Sequence, residues 1–331
     1  MSDKTLNRYL QDLGTGDALA LGLKEYAGLV LTAYPTATKI ARYIWKKNIT
    51  EGKSYQFPAV WKMSNSNHTP GAELTGSNEP LTEERTVLLD TAERVSHAWI
   101  TELDEFISHF ERRQDVAREA AQSLAERMDE LAFRCIALGA RTAARGPSNE
   151  FPSGVTLASP RVGADLAAVY PVSTAGSTAL QDDLGEIAQG MDERDVPQEG
   201  RVAFICPYLQ RVLLQDKTLV SRDYVDPNTN QLVTRVVSRV QGFEIVVSNI
   251  VRQGRLNVTS DFTQYNGDFR YTAAVCLGDR TGVGQVTFGG IRPFGPTWVE
   301  DHLSWLIGAR MLQGMKWIRP EACGEITYST S

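Results

Sequence analysis

From Asp115 to about Ala143, apolar residues fall at Val116, Ala120, Leu124, Met128, Leu131, Cys135 and Leu138. The steps are four and three, so these side chains share one face of a helix. Ala117, Ala121, Ala125 and Ala132 widen the stripe, while Glu119, Glu126, Arg127 and Glu130 mark much of the wet side. Asp115 is a suitable N-cap. A helix of about 28 residues, 115–143, would be roughly 42 Å long at the usual rise. That exceeds the average globular helix. A coiled coil, a bundle, or one helix laid along a sheet would use such an element, and strand signals on both sides favour the last.

Composition narrows the setting. The chain has 331 residues, enough for two domains or one large domain with insertions. Lys plus Arg number 34 and Asp plus Glu 40, for a net charge of -6. Wrapping DNA calls for a basic surface, and this chain is mildly acidic. Hydrophobic residues at 42% and charged residues at 22% do not describe a disordered chain. Met1 to Leu13 is polar and does not read as a signal peptide. No apolar run reaches the roughly 18 residues of a membrane span.

Chemistry-bearing residues are scattered. Cys135, Cys206, Cys276 and Cys323 lack the short paired spacing of zinc sites, and Cys135 and Cys206 sit in apolar runs as small buried hydrophobes. His68, His97, His109 and His302 form no metal motif. Gly52-Lys53-Ser54 ends like a phosphate loop, but Lys47 stands where the first glycine belongs and an extended segment follows. Gly278 to Gly284 is glycine-rich ahead of a strand, so it reads as a turn. Asp226-Pro227-Asn228-Thr229-Asn230 opens like a calcium loop but has Gln231 and Val237 at the decisive positions. Asp182-Asp183 and Asp192-Glu193 read as solvated helix surface. No catalytic, cofactor-binding or metal-binding residue is assigned, and the chain is not expected to be an enzyme.

Ser54 to Trp61 and Arg85 to Ala92 read as two strands joined by a polar excursion through Lys62 to Gly71. Such a ribbon is marginal in water alone. A neighbouring subunit would hold it economically; the chain's own domain is the alternative. A short helix is expected at Thr101–Phe110, and Arg145–Gly176 reads as loop and strand. Ser177–Met191 reads as a helix. Arg201–Tyr208 reads as a strand, Tyr208–Leu214 as a helical turn, and Val233–Val237 with Phe243–Val247 as two strands. Val283, Val286 and Phe288 mark a further strand, Trp298–Met315 a helix, and residues 316–331 an extended tail. The class is α+β.

This order of segments resembles the HK97-like major capsid proteins of tailed bacteriophages, and most of all the T7-like podovirus branch. The matching residues are Gly52-Lys53-Ser54-Tyr55-Gln56-Phe57-Pro58, Pro70-Gly71, Gly242-Phe243-Glu244-Ile245-Val246 and Arg319-Pro320-Glu321-Ala322-Cys323-Gly324. The resemblance implies an N-terminal arm at 1–48 and an extended loop at 49–95 lying over an adjacent subunit. It implies a peripheral domain at 96–159 with a spine helix, and an axial domain at 160–282. A return to the peripheral domain at 283–297 and a C-terminal helix and tail at 298–331 would follow. Tyr55, Phe57 and Trp61 would be assembly contacts on a neighbour. Implied partners are copies of the chain in hexamers and pentamers, a separate scaffolding protein, a portal protein and, in some relatives, decoration proteins. The shell would enclose double-stranded DNA without reading its sequence, with no membrane partner, and would be assembled in the host cytoplasm before maturing into the virion capsid. Some relatives crosslink a lysine to an asparagine; Lys53 and Lys62 lie in the loop, but no crosslink is expected. An encapsulin-like compartment shell, a tail or baseplate protein, and a soluble enzyme are the alternatives.

Overall fold

The computed structural model describes residues 38–60, 67–71, 73, 82–101, 112–145, 151–216, 239–252, 254–256 and 262–330. Strands β1 (Trp45–Ile49), β2 (Ser54–Val60), β3 (Thr82–Leu88) and β4 (Arg94–Thr101) precede helix α1 (Arg112–Ala140). Then come β5 (Val155–Thr156), β6 (Arg161–Val162), α2 (Leu166–Val169), α3 (Thr174–Asp192), β7 (Val202–Ile205) and α4 (Pro207–Leu213). The chain closes with β8 (Arg239–Val240), β9 (Phe243–Val247), β10 (Thr272–Leu277), β11 (Val283–Val299), β12 (Ser304–Trp317) and β13 (Cys323–Ser329). The helix expected at Thr101–Phe110 and the strand at Val233–Val237 lie outside the described residues, apart from Thr101, which ends β4.

Two main sheets result. One has the order β1-β11-β12-β4; the other runs β5-β13-β10-β7-β9-β8, with β6 also on β13. Strands β2 and β3 form a separate two-stranded ribbon. Helix α1 joins the two main sheets. Its first half rests on the first sheet, with Ala117, Ala121 and Leu124 against Ile100, Ile307 and Ala309. Its second half enters the core of the other sheet, where Met128, Leu131, Phe133 and Ile136 meet Phe204, Val275 and Leu277. From Leu131 to Ala137 every residue is buried. The apolar stripe therefore describes only the first half of the helix. Each large apolar side chain buried here contributes about 1.5–3 kcal/mol.

Helix α3 covers the opposite face of the second sheet. Leu180, Leu184, Ile187 and Met191 pack with Ala203, Ile205, Cys276 and Ile326. Ser173 caps it, accepting from the Gly176 amide at 3.3 Å. The reading of Asp182-Asp183 as solvated surface needs correction at Asp183, which is buried. Its carboxylate accepts from Arg161 Nε at 2.9 Å and from the Tyr170 hydroxyl at 2.5 Å. Burial and that carboxylate push the Tyr170 hydroxyl pKa up.

The largest departure from the sequence reading is at Trp298–Met315, expected as a helix. Strand β11 ends there at Val299, a short 3-10 turn follows, and Ser304–Trp317 is β12. β12 pairs antiparallel with β11 on one side and β4 on the other. Ile307, Ala309, Met311 and Met315 are buried on the α1 side of β12, and half-buried Leu306 and Leu312 add apolar residues at the other parity, which imitates a helical pattern. The C-terminal helix of the 298–331 segment is thus replaced by a strand of the first sheet. The tail, read as an extended finish, is β13, an internal strand of the second sheet between β10 and β5.

Candidate assembly surface

The ribbon is built by strict register, from Ser54 opposite Leu88 to Val60 opposite Thr82. Alternation gives its base two unlike faces. Phe57 and Val87 are fully buried and pack with Ile49, Val286 and Ile318, with Tyr55 and Leu89 half-buried beside them. Trp45 and Tyr55 present ring edges to Phe57 at centroid distances of 4.8 and 4.9 Å. Ser54, Gln56 and Pro58 face outward, as does Leu88, which is 56% exposed.

The base is also fastened through the backbone. The Leu89 amide donates to the Lys53 carbonyl and the Asp90 amide to the Gln313 carbonyl, both at 2.9 Å. The backbone at Leu88 and Leu89 crosses directly over Gly314 of β12, where any Cβ would collide with the Leu88 carbonyl. Buried Asp90 accepts from Gln264 at 2.7 Å and from the Tyr265 hydroxyl at 2.9 Å. Burial raises its pKa, against those hydrogen bonds and the Arg94 charge. A marginal ribbon is thereby held at its root by its own subunit.

These positions separate the three expected contact residues. Phe57 is consumed inside its own subunit and has no surface left for a neighbour, because the ribbon's inward face is covered by β1, β11 and the segment after β12. Its packing thus lies within its own subunit rather than toward a neighbour. Tyr55 is half-buried, with the Lys47 ammonium 5.3 Å from its ring centroid, and keeps an open side. Trp61 lies outside the described residues.

The structure adds apolar residues that the sequence reading passed over. Val95 and Trp99 on β4 are 50% and 45% exposed, and Leu303 at the turn between β11 and β12 is 68% exposed. His302 stands edge-on to Trp99 at 4.8 Å. Trp99 and Val95 occupy the face of the first sheet opposite α1. Scattered exposed apolar side chains are ordinary, but a tryptophan, valine and leucine gathered at one edge and tip are suited to a protein contact. The alternation Val95, His97, Trp99 against Ser96, Ala98, Ile100 was a readable strand signal. Leu303 was hidden by the helical reading of its segment; its φ of 44° marks the turn instead.

Chemistry of other kinds finds little support. All four cysteines are buried as free thiols, and burial pushes the Cys276 thiol up to about 12. Among the described residues, no three His, Cys, Asp or Glu side chains are grouped to hold a metal. A cleft of about 380 Å³ lies between Leu166, Pro207, Tyr208, Asn249 and Arg252. The thiol at its floor, Cys206, is buried with a raised pKa and is a poor nucleophile. No helix among the described residues is long and apolar enough to cross a membrane.

The arrangement has known counterparts. The chain superposes on the capsid structure of cyanophage P-SCSP1u with a TM-score of 0.73 at 24% identity, covering 99% of this chain and 94% of that one. It superposes on the mature capsid of bacteriophage PhiM1 with a TM-score of 0.67 at 16% identity, covering 98% and 91%. The shared fold is the HK97-like α+β capsid fold. In sequence, 117 residues are 26% identical to the major capsid protein of Escherichia phage T7, which is 35% of this chain and only 34% of that relative. A family model described as Gp10A-like major capsid protein matches residues 56–283, from the ribbon to the first residue of β11. This chain belongs to the Gp10A-like family of phage major capsid proteins.

Proposed function

We propose that the chain is the shell-building subunit of a tailed-phage virion, assembling with its own copies into hexamers and pentamers around double-stranded DNA. Family membership carries this reading. The exposed apolar residues Val95, Trp99 and Leu303 at the sheet edge and tip support it. The subunit's work is many modest contacts repeated in closed symmetry. Its role is structural, without catalysis. A separate scaffolding protein guides assembly in the host cytoplasm, a portal occupies one vertex, and decoration proteins are optional additions. Residues 49–95 act as the extended loop reaching an adjacent subunit from a root fixed at home. Residues 160–282, with β13, act as the axial domain around each ring centre.

An encapsulin-like compartment of the same fold is the competing reading. Co-expression with a candidate scaffolding protein, followed by sedimentation velocity, tests the proposal. Particles in the range of hundreds of subunits support it; a chain that stays monomeric or dimeric in its presence overturns it.

A further inference from the structure

The segment 39–44 ties three parts of the molecule together. Its Lys39 and Ile40 amides donate to the Asp129 carboxylate of α1 at 2.9 and 3.4 Å. Its Lys39 ammonium donates to the Val247 carbonyl of β9, and its Tyr43 hydroxyl to Glu244 of β9, both at 2.7 Å. Tyr43 presents its ring to Phe204 of β7 at 5.8 Å. Ile40, Tyr43 and Ile44 are buried in the core with Met128, Leu131 and Phe133. Strand β1 starts at the next residue and pairs in the other sheet. The segment is therefore a clasp between α1, the second sheet and, through β1, the first.

At the centre of the clasp is a charge that the surroundings serve poorly. Asp129 is 2% exposed. No cation forms an ion pair with it among the described residues. Lys39 and Lys46 face it from the clasp and from β1 and act only at longer range. On α1 itself, Glu130 is engaged by Arg127 and Arg134, and Glu126 by Arg255. From β9, Glu244 is held by Tyr43 and Arg42. Two amide donors, one at a long 3.4 Å, are what offsets the burial of a carboxylate.

We propose that the 39–44 clasp is tightened by acid: a proton on Asp129 strengthens its seat on α1 and the second sheet. The hydrogen bonds allow this. The oxygen facing Ile40 at 3.4 Å can carry the proton at little loss, while the other still accepts from Lys39 at 2.9 Å. Burial raises the carboxyl pKa to about 6 in the closed clasp. A lifted clasp would expose it, with a pKa of about 4. The closed form then binds the proton more tightly. Its advantage is fully present below the lower value and is lost as pH rises through the upper one. Between pH 7 and pH 5 the closed-to-open ratio rises about ninefold. This is independent of the shell-building reading, since the joint lies within one chain.

Hydrogen exchange read by mass spectrometry on the full-length chain, corrected for the intrinsic pH dependence of exchange, tests it. Protection of the peptide covering 38–45 should rise several-fold from pH 7 to pH 5. Asp129→Asn, neutral at every pH, should show high protection at pH 7 and little pH response. A wild-type protection that falls or stays flat on acidification overturns the proposal, as does an Asn variant that keeps the full response. Should that variant fail to fold, Glu244→Gln decides: it must retain the wild-type response, and losing it places the titration elsewhere.

Discussion

Phe57 and Trp99 are both aromatic residues on strands, yet they have opposite fates. Phe57 lies fully buried under β1 and β11, so Phe57→Ala removes a packed ring from the ribbon's root. We expect a loss of about 3–5 kcal/mol in chemical denaturation of the full chain. Trp99 touches His302 and is 45% exposed. Trp99→Ser should change subunit stability by about 1 kcal/mol or less. It should nevertheless lower the yield of assembled particles at least several-fold in sedimentation. Assembly at the wild-type level in Trp99→Ser would remove Trp99 from the contact surface. The sequence placed Tyr55 and Phe57 on the same face of an expected strand, because alternation reports which side chains share a face. It could not show who covers that face. Whether Phe57 meets β11 or a neighbour depends on where the chain returns more than 200 residues later, a contact with no local signature.

At the scale of elements, α1 and β13 depend on each other. The Arg141 guanidinium, just past the end of α1, donates to both carboxylate oxygens of Glu325 at 2.6 and 2.7 Å. Glu325 is fully buried in β13 and also accepts from Thr272 at 2.6 Å. Arg141→Met would leave that carboxylate buried without its cation. Losing one partner of such a pair should cost about 3–5 kcal/mol, seen as a lowered unfolding midpoint. The bond joins residues 184 positions apart, so neither end announced it in the sequence. Long periodic elements were legible: α1 and α3 from their steps of three and four, and β7 and β9 from short apolar runs. Segment 298–317 was not. Leu306, Ile307, Ala309, Met311 and Leu312 mimic a helix because β12 carries apolar residues at both parities, buried on the α1 side and half-buried on the other. The contrary signs were Gly308 and Gly314, poor helix residues where the Ser96 and Leu88 backbones cross too closely for a side chain.

At the scale of the whole molecule, the described residues form two main sheets joined by α1, with a ribbon rooted on its own subunit and apolar residues exposed at a sheet edge. The fold class was the most legible level, because the order of ribbon, long helix and mixed domain is itself distinctive. What the order could not convey is that the last strand, β13, is internal to the second sheet. The second sheet is therefore incomplete until β13 is in place. The proposed assembly would let copies of the chain cover the exposed apolar edge and the ribbon's outward face. The most direct test is negative-stain electron microscopy of the full chain co-expressed with a candidate scaffolding protein. Closed spherical shells of uniform diameter are the predicted result. Persistent monomers or small dimers under the same conditions would contradict the account.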